Sequence, residues 1–153
     1  MALEELYREV ILDHYRSPRN RDALEEPTAH AEGNNPLCGD EIALDIRIDD
    51  GVITAVGAVG QGCSISQSSA SMMTDAIKGK SIDEVRSLTA RFKGMMEIES
   101  GEDPALDEDR PGSVLGDLEA LQGVRKFPVR IKCANLAWTT LEEALAGANG
   151  SST

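Results

Sequence analysis

The pattern of apolar residues changes from helical to irregular over the first forty positions. Leu3, Leu6 and Val10 recur at helical spacing and predict an amphipathic helix over residues 2–15. Residues 21–40 lack this periodicity and contain several Gly, Asn and Pro residues that are typical of turns. We therefore expect this second segment to be irregular or extended.

A β-hairpin is predicted to follow. Its first strand has an apolar residue at every second position, which indicates one buried face: Ile42, Leu44, Ile46 and Ile48. Asp49-Asp50-Gly51 is a hairpin turn signal. The segment 52–59 then returns as a strand of small residues.

The remainder of the chain has helical periodicity. A helix capped by Ser64 or Ser66 is expected, followed by one that Ser81 opens with a capping box. Pro128 suits the first turn of the last helix. The predicted helical spans are 64–78, 81 to about 96, 115–121 and 129–146.

Strands that cluster early and helices that cluster late are typical of an α+β fold with a small antiparallel sheet. No repeat and no linker interrupts the chain, so we predict one domain, 1–146, and a flexible polar C-terminal tail, 147–153. The acidic segment 97–113 is predicted to be a solvated connector rather than a partner-contacting loop.

The composition excludes several classes of function. The net charge of −12 repels phosphate backbones and anionic lipid surfaces, so we expect no nucleic-acid and no membrane partner. No segment has the length of a transmembrane helix, and the N-terminus lacks the features of a signal peptide. A cytoplasmic location is therefore predicted, where thiols stay reduced.

Three cysteines and one aspartate are the candidate chemical groups. Cys38, Cys63, Cys133 and Asp40 match the ligand count of a tetrahedral metal site. The cysteines are 25 and 70 positions apart (63 − 38 and 133 − 63), so only the fold could bring them together. Arg130 precedes Cys133 by one helical turn and would favour its thiolate form. For each cysteine taken alone, inert packing is the alternative.

The cysteine motifs resemble those of the IscU/SufU-like family of iron–sulfur cluster assembly proteins. The opening helix, residues 6–20, is similar as well, so the resemblance covers almost the whole chain. The motifs are Cys38-Gly39-Asp40, Gly60-Gln61-Gly62-Cys63-Ser64-Ile65-Ser66 and Arg130-Ile131-Lys132-Cys133-Ala134-Asn135-Leu136. The fold that this resemblance implies is SufE/IscU-like, with about three strands.

Two features point to the SufU branch of this family. Lys132 occupies the position where the IscU-type scaffold has a histidine, and residues 97–113 resemble the insertion typical of SufU. His14 and His30 lie in no motif that would replace that histidine, so surface or helix-packing roles are expected for both.

The resemblance implies a zinc-bound sulfurtransferase that accepts persulfide sulfur from a SufS-type cysteine desulfurase and supplies downstream iron–sulfur scaffold proteins. Cys38, Asp40, Cys63 and Cys133 would be the zinc ligands. Cys38 would also accept the sulfur, and Arg130 matches a basic residue close to the site in this family, so Cys38 and Arg130 would be the catalytic residues. A scaffold that assembles a 2Fe–2S cluster, or binds iron, on the same ligands is the alternative. A zinc-stapled interaction module without chemistry is a third hypothesis.

Overall fold

The computed structural model describes residues 3–36, 39–98, 101–107, 109–110 and 112–151. Within these residues the chain forms three strands, four α-helices and one 3₁₀ helix. In chain order they are α1 (Leu3–Arg16), β1 (Ala29–Asn35), β2 (Asp40–Asp49), β3 (Val52–Gln61), α2 (Ser64–Ile77), α3 (Ile82–Met95), the 3₁₀ helix (Gly116–Lys126) and α4 (Pro128–Ser151).

The strands form one antiparallel sheet in the order β1-β2-β3, which confirms the predicted α+β class. The inner face of β2 buries Ile42, Leu44 and Ile46, and helices α2 and α4 pack against the sheet. The sheet register pairs Asn35 with Asp40 and Glu41 with Gln61. The end of β1, the start of β2 and the end of β3 therefore meet at one edge of the sheet.

Helix α2 is capped by neither of the serines that the sequence predicted, Ser64 and Ser66. Its N-cap is Cys63, whose extended backbone precedes the first helical turn and whose sulfur accepts a hydrogen bond from the backbone N of Ser66 at 3.4 Å. Ser64 is already helical, and Ser66 is buried. The prediction of a serine cap was wrong because a sulfur takes the place of the hydroxyl oxygen.

Helix α3 opens with the predicted capping box between Ser81 and Glu84. Its buried Phe92 stacks on Trp138 of α4, with ring centroids 4.4 Å apart. Offset or stacked aromatic pairs stabilise a core beyond the area that they bury. This contact fixes α4 against the body of the protein.

The two last helices are longer than predicted. The short helix predicted at 115–121 is a 3₁₀ helix that ends at Lys126. Helix α4 continues past Ala146 to Ser151, and Leu141, Ala144 and Leu145 bury one of its faces in the core. The division into a domain 1–146 and a flexible tail 147–153 stays a prediction. In the part of the chain described, no helix has the length and apolar character needed to span a membrane.

Candidate metal centre

The sheet edge and two helices bring three of the four predicted ligands together. Asp40 opens β2, Cys63 caps α2, and Cys133 lies in the second turn of α4. One ligand atom from each residue lies within 4.8 Å of the others. Cys38, the fourth predicted ligand, lies outside the described residues.

The carboxylate of Asp40 is fully buried and holds the loop that carries Cys63. Its Oδ1 accepts the backbone N–H of Cys63 at 2.9 Å, and its Oδ2 lies 3.9 Å from the sulfur of Cys63. Gly62 passes so close that a Cβ at this position would overlap the Asp40 carboxylate, and its φ of +151° is one that other residues rarely adopt. The glycine before Cys63 is therefore a requirement of the site.

Cys133 is fully buried and faces a residue that the sequence did not single out. Its sulfur lies 3.8 Å from Nδ2 of Asn35 and 3.8 Å from the carbonyl oxygen of Val129. Asn35 was identified only as a turn residue before Pro36. Its position in the Asn35–Asp40 strand pair places it in the site, and the sequence alone does not contain that register.

Arg130 lies beside the thiols of both Cys63 and Cys133. The charge of Cys63 raises the pKa of Arg130 above its usual value, and a hydrogen bond to Cys133 adds to this effect. The guanidinium is exposed, so it lies at the surface side of the site. It therefore offers a fixed positive charge next to two sulfur atoms.

Large apolar side chains are exposed next to this arginine. Phe127 is 61% exposed and Val129 is 57% exposed, and they flank Pro128 at the start of α4. These two side chains are candidate contact residues for a protein partner, since aromatic residues and arginine are enriched in protein interfaces.

Neither histidine belongs to the cluster of Asp40, Cys63 and Cys133. His14 is buried, with Nδ1 2.7 Å from Oγ of Ser71 and Nε2 2.8 Å from Oδ2 of Asp117. It thus connects α1 to α2 and to the 3₁₀ helix, which is the helix-packing role expected. His30 lies at the outer face of the sheet between Glu32 and Asp45.

The donor set fits a zinc ion. Thiolate ligands at about 2.3 Å in a tetrahedral arrangement lie about 3.8 Å from one another. The three described donor atoms lie within 4.8 Å of each other, so shifts of about 1 Å would bring them to that geometry. Two thiolates and a carboxylate are also acceptable to iron, so the donor set does not select one metal.

Comparisons with known proteins find relatives over most of the chain. The family model described as "NifU-like N terminal domain" matches residues 6–134. The zinc-dependent sulfurtransferase SufU of Bacillus subtilis is 47% identical over 97% of this chain and 95% of its own length. The iron–sulfur cluster assembly scaffold protein IscU of Streptococcus pyogenes is 43% identical over 94% of this chain and 84% of its own length.

Solved structures share the fold. A protein described as an iron–sulfur cluster assembly scaffold of the SUF system, from Fervidobacterium islandicum, matches with a TM-score of 0.78 and 33% identity. The match covers 94% of this chain and 99% of that one. A NifU-like N-terminal protein from Brucella abortus matches with a TM-score of 0.80 at 22% identity, over 97% of each chain, and so bears on the fold alone.

Proposed function

We propose a function for this chain as a member of the family of NifU-like N-terminal domains, to which it belongs. In this proposal it acts in iron–sulfur cluster assembly as a zinc-bound sulfurtransferase. The observation that carries the proposal is the convergence of Asp40, Cys63 and Cys133 from three separate elements to within 4.8 Å. The similarity to a zinc-dependent sulfurtransferase over nearly the whole chain supports it.

In this proposal the zinc ligands are Asp40, Cys63, Cys133 and Cys38. When bound, zinc keeps its thiol ligands deprotonated at neutral pH. Asp40 also holds the Cys63 backbone, while the N-cap position and α4 hold the two described sulfurs. We propose that Cys38 is the ligand that leaves its position, because the next residue, Gly39, has a φ of +70° that a side chain rarely permits, whereas Cys63 and Cys133 belong to helices.

The reaction that we propose is a thiol–persulfide exchange. The thiolate of Cys38 attacks the outer sulfur of a persulfide on the cysteine of a SufS-type desulfurase. A new S–S bond forms on Cys38, the S–S bond of the donor breaks, and the donor cysteine leaves as a thiolate. The number of electrons is conserved, so no further oxidant or reductant is needed. Arg130 would lie near the negative charges that meet in this step.

Persulfide transfer requires a protein that donates the sulfur and a compartment in which thiols stay reduced. A SufS-type cysteine desulfurase would dock over Arg130 and the exposed Phe127 and Val129, and a downstream iron–sulfur scaffold would receive the sulfur. We propose a cytoplasmic location, where the thiols stay reduced.

The first experiment measures desulfurase turnover with and without this protein in its zinc-loaded form. We expect strong stimulation by the wild-type chain and none by Cys38→Ala, because that variant lacks the accepting thiol. Asn34→Ala is the matched control, since Asn34 is exposed and lies outside the proposed ligand set. Full stimulation by Cys38→Ala would contradict the assignment of the acceptor and would favour an interaction module without chemistry.

A scaffold for a 2Fe–2S cluster is the second candidate. The 43% identity to an IscU scaffold over 94% of this chain favours it. Anaerobic reconstitution with iron and sulfide tests it, since a bound cluster gives visible absorbance and zinc does not. A stable cluster that passes to an apo-ferredoxin, together with no desulfurase stimulation, would replace the sulfurtransferase proposal.

A further inference from the structure

The side chain of Asn35 faces the sulfur of Cys133 across the site. Asn35 is the last residue of β1 and is 8% exposed, and its Nδ2 lies 3.8 Å from Sγ of Cys133. We infer that Asn35 is a positioning residue: its amide N–H bonds to the Cys133 sulfur, lowers the reactivity of that sulfur and keeps it a metal-holding ligand.

The burial of Cys133 increases the effect of this hydrogen bond on its sulfur. Cys133 is 0% exposed, so water cannot solvate a thiolate there. A buried charge needs a donor from the protein, and hydrogen bonds to charged groups are stronger than those between neutral groups. The amide therefore draws electron density from the sulfur, which makes it a weaker nucleophile. Residues that bond to metal ligands adjust the properties of a site in this way.

The second described thiol has a donor of a different kind. The sulfur of Cys63 accepts the backbone N–H of Ser66 at 3.4 Å, and a side-chain substitution does not remove that donor. Each described sulfur thus has its own N–H donor, in addition to the guanidinium of Arg130 that lies beside both. The inference about Asn35 deepens the proposed function. It rests on that function in one respect, namely that Cys38 and not Cys133 accepts the sulfur.

The register of the sheet explains how the amide is held. Asn35 pairs with Asp40, so the strand pair that places the carboxylate also places the amide. A substitution that keeps the shape of the side chain would leave this pairing intact. Asn35→Leu keeps the branching of the side chain and lacks the donor, while Asn35→Ala lacks the donor and adds no volume, so the two variants together separate the hydrogen bond from the packing.

Cobalt(II) in place of zinc gives a direct readout of the sulfur. In Asn35→Leu we expect the sulfur-to-cobalt charge-transfer band to move to lower energy, while the ligand-field bands of a tetrahedral site persist. Asn34→Leu, at the exposed neighbouring position, should leave the charge-transfer band unchanged.

Asn35→Ala is the second variant, in case the leucine prevents folding. An unchanged charge-transfer band in the folded variants would overturn the inference. Loss of the tetrahedral bands in both variants would overturn it as well, since the amide would then serve the geometry of the site and not the electronic properties of the sulfur. The cobalt spectrum does not involve the desulfurase, so failure of the proposed function would show separately, as absent stimulation by the wild-type chain.

Discussion

At the scale of single residues, the candidate site depends on close approaches that leave no spare volume. The carboxylate of Asp40 reaches the backbone N–H of Cys63 because the preceding residue, Gly62, has no side chain in the way. Asn35 reaches Cys133 from the other side. The site is therefore sensitive to additions of a single methyl group at positions that contribute no ligand.

Gly62→Ala tests this sensitivity. The added Cβ would overlap the Asp40 carboxylate at a φ of +151°, so we expect a loss of about 1–3 kcal/mol in the free energy of unfolding and weaker zinc binding. Urea denaturation and competition with a chromophoric chelator measure the two effects. Gly123→Ala is the control, because a Cβ there meets nothing within 4 Å. Equal behaviour of the two variants would show that the Gly62 approach does not constrain the site.

At the scale of elements, the outer face of the β1–β2 pair contains a charged contact that depends on pH. Nδ1 of His30 lies 2.6 Å from Asp45, and Nε2 lies 3.0 Å from Glu32. These hydrogen bonds, first with Glu32 and then with Asp45, raise the pKa of His30 above 6.5. The protonated histidine thus strengthens the pairing of β1 with β2.

The sign of the pH effect follows from the raised pKa. The contribution of His30 to stability is fully present below its unfolded pKa of 6.5 and is lost as the pH rises through the higher folded value. His30 is 46% exposed, so solvent screening limits the effect to about 0.5 kcal/mol. We expect His30→Gln to lower the urea midpoint at about pH 6 and to change it little at about pH 9. A variant that loses the same stability at both pH values would contradict this account.

The sequence predicted those elements whose patterns are local. The alternation from Ile42 to Ile48 predicted β2, and the Ser81 capping box predicted the start of α3. Strand β1 was predicted only as part of an irregular or extended segment, because its sequence, AHAEGNN, has little apolar alternation. Its strand conformation is stabilised by pairing with β2. Likewise, the cysteine motifs indicated which residues meet, whereas Asn35 depends on a strand register that no local pattern encodes.

At the scale of the whole molecule, the site joins elements that are distant in the chain. Asp40, Cys63 and Cys133 belong to β2, α2 and α4, so a shared ion would cross-link the sheet edge to both helices. Binding energy at such a site adds to the free energy of folding. Trp138, the only tryptophan of the chain, lies on the same helix as Cys133 and is fully buried.

Removal of zinc should therefore weaken the whole fold. We expect a chelator to lower the melting temperature of the zinc-loaded protein and to change the fluorescence of Trp138, because α4 loses its tether near Cys133. Differential scanning calorimetry and emission spectra measure these effects. The same chelator should have little effect on Cys133→Ser, in which the tether is already lost. An unchanged melting temperature in the wild-type chain would contradict this prediction, because it would show that metal binding at the site does not stabilise the fold.

The separation of the ligands along the chain also sets the order in which the molecule is built. The β2–β3 hairpin closes through neighbouring residues, whereas contact between Cys63 and Cys133 closes a loop of 70 positions (133 − 63). Local contacts form faster than distant ones because less chain entropy is lost. We therefore expect the metal pocket to be completed late in folding, after the hairpin that supports it. A newly made chain would then reach its full ligand set only once α4 has docked.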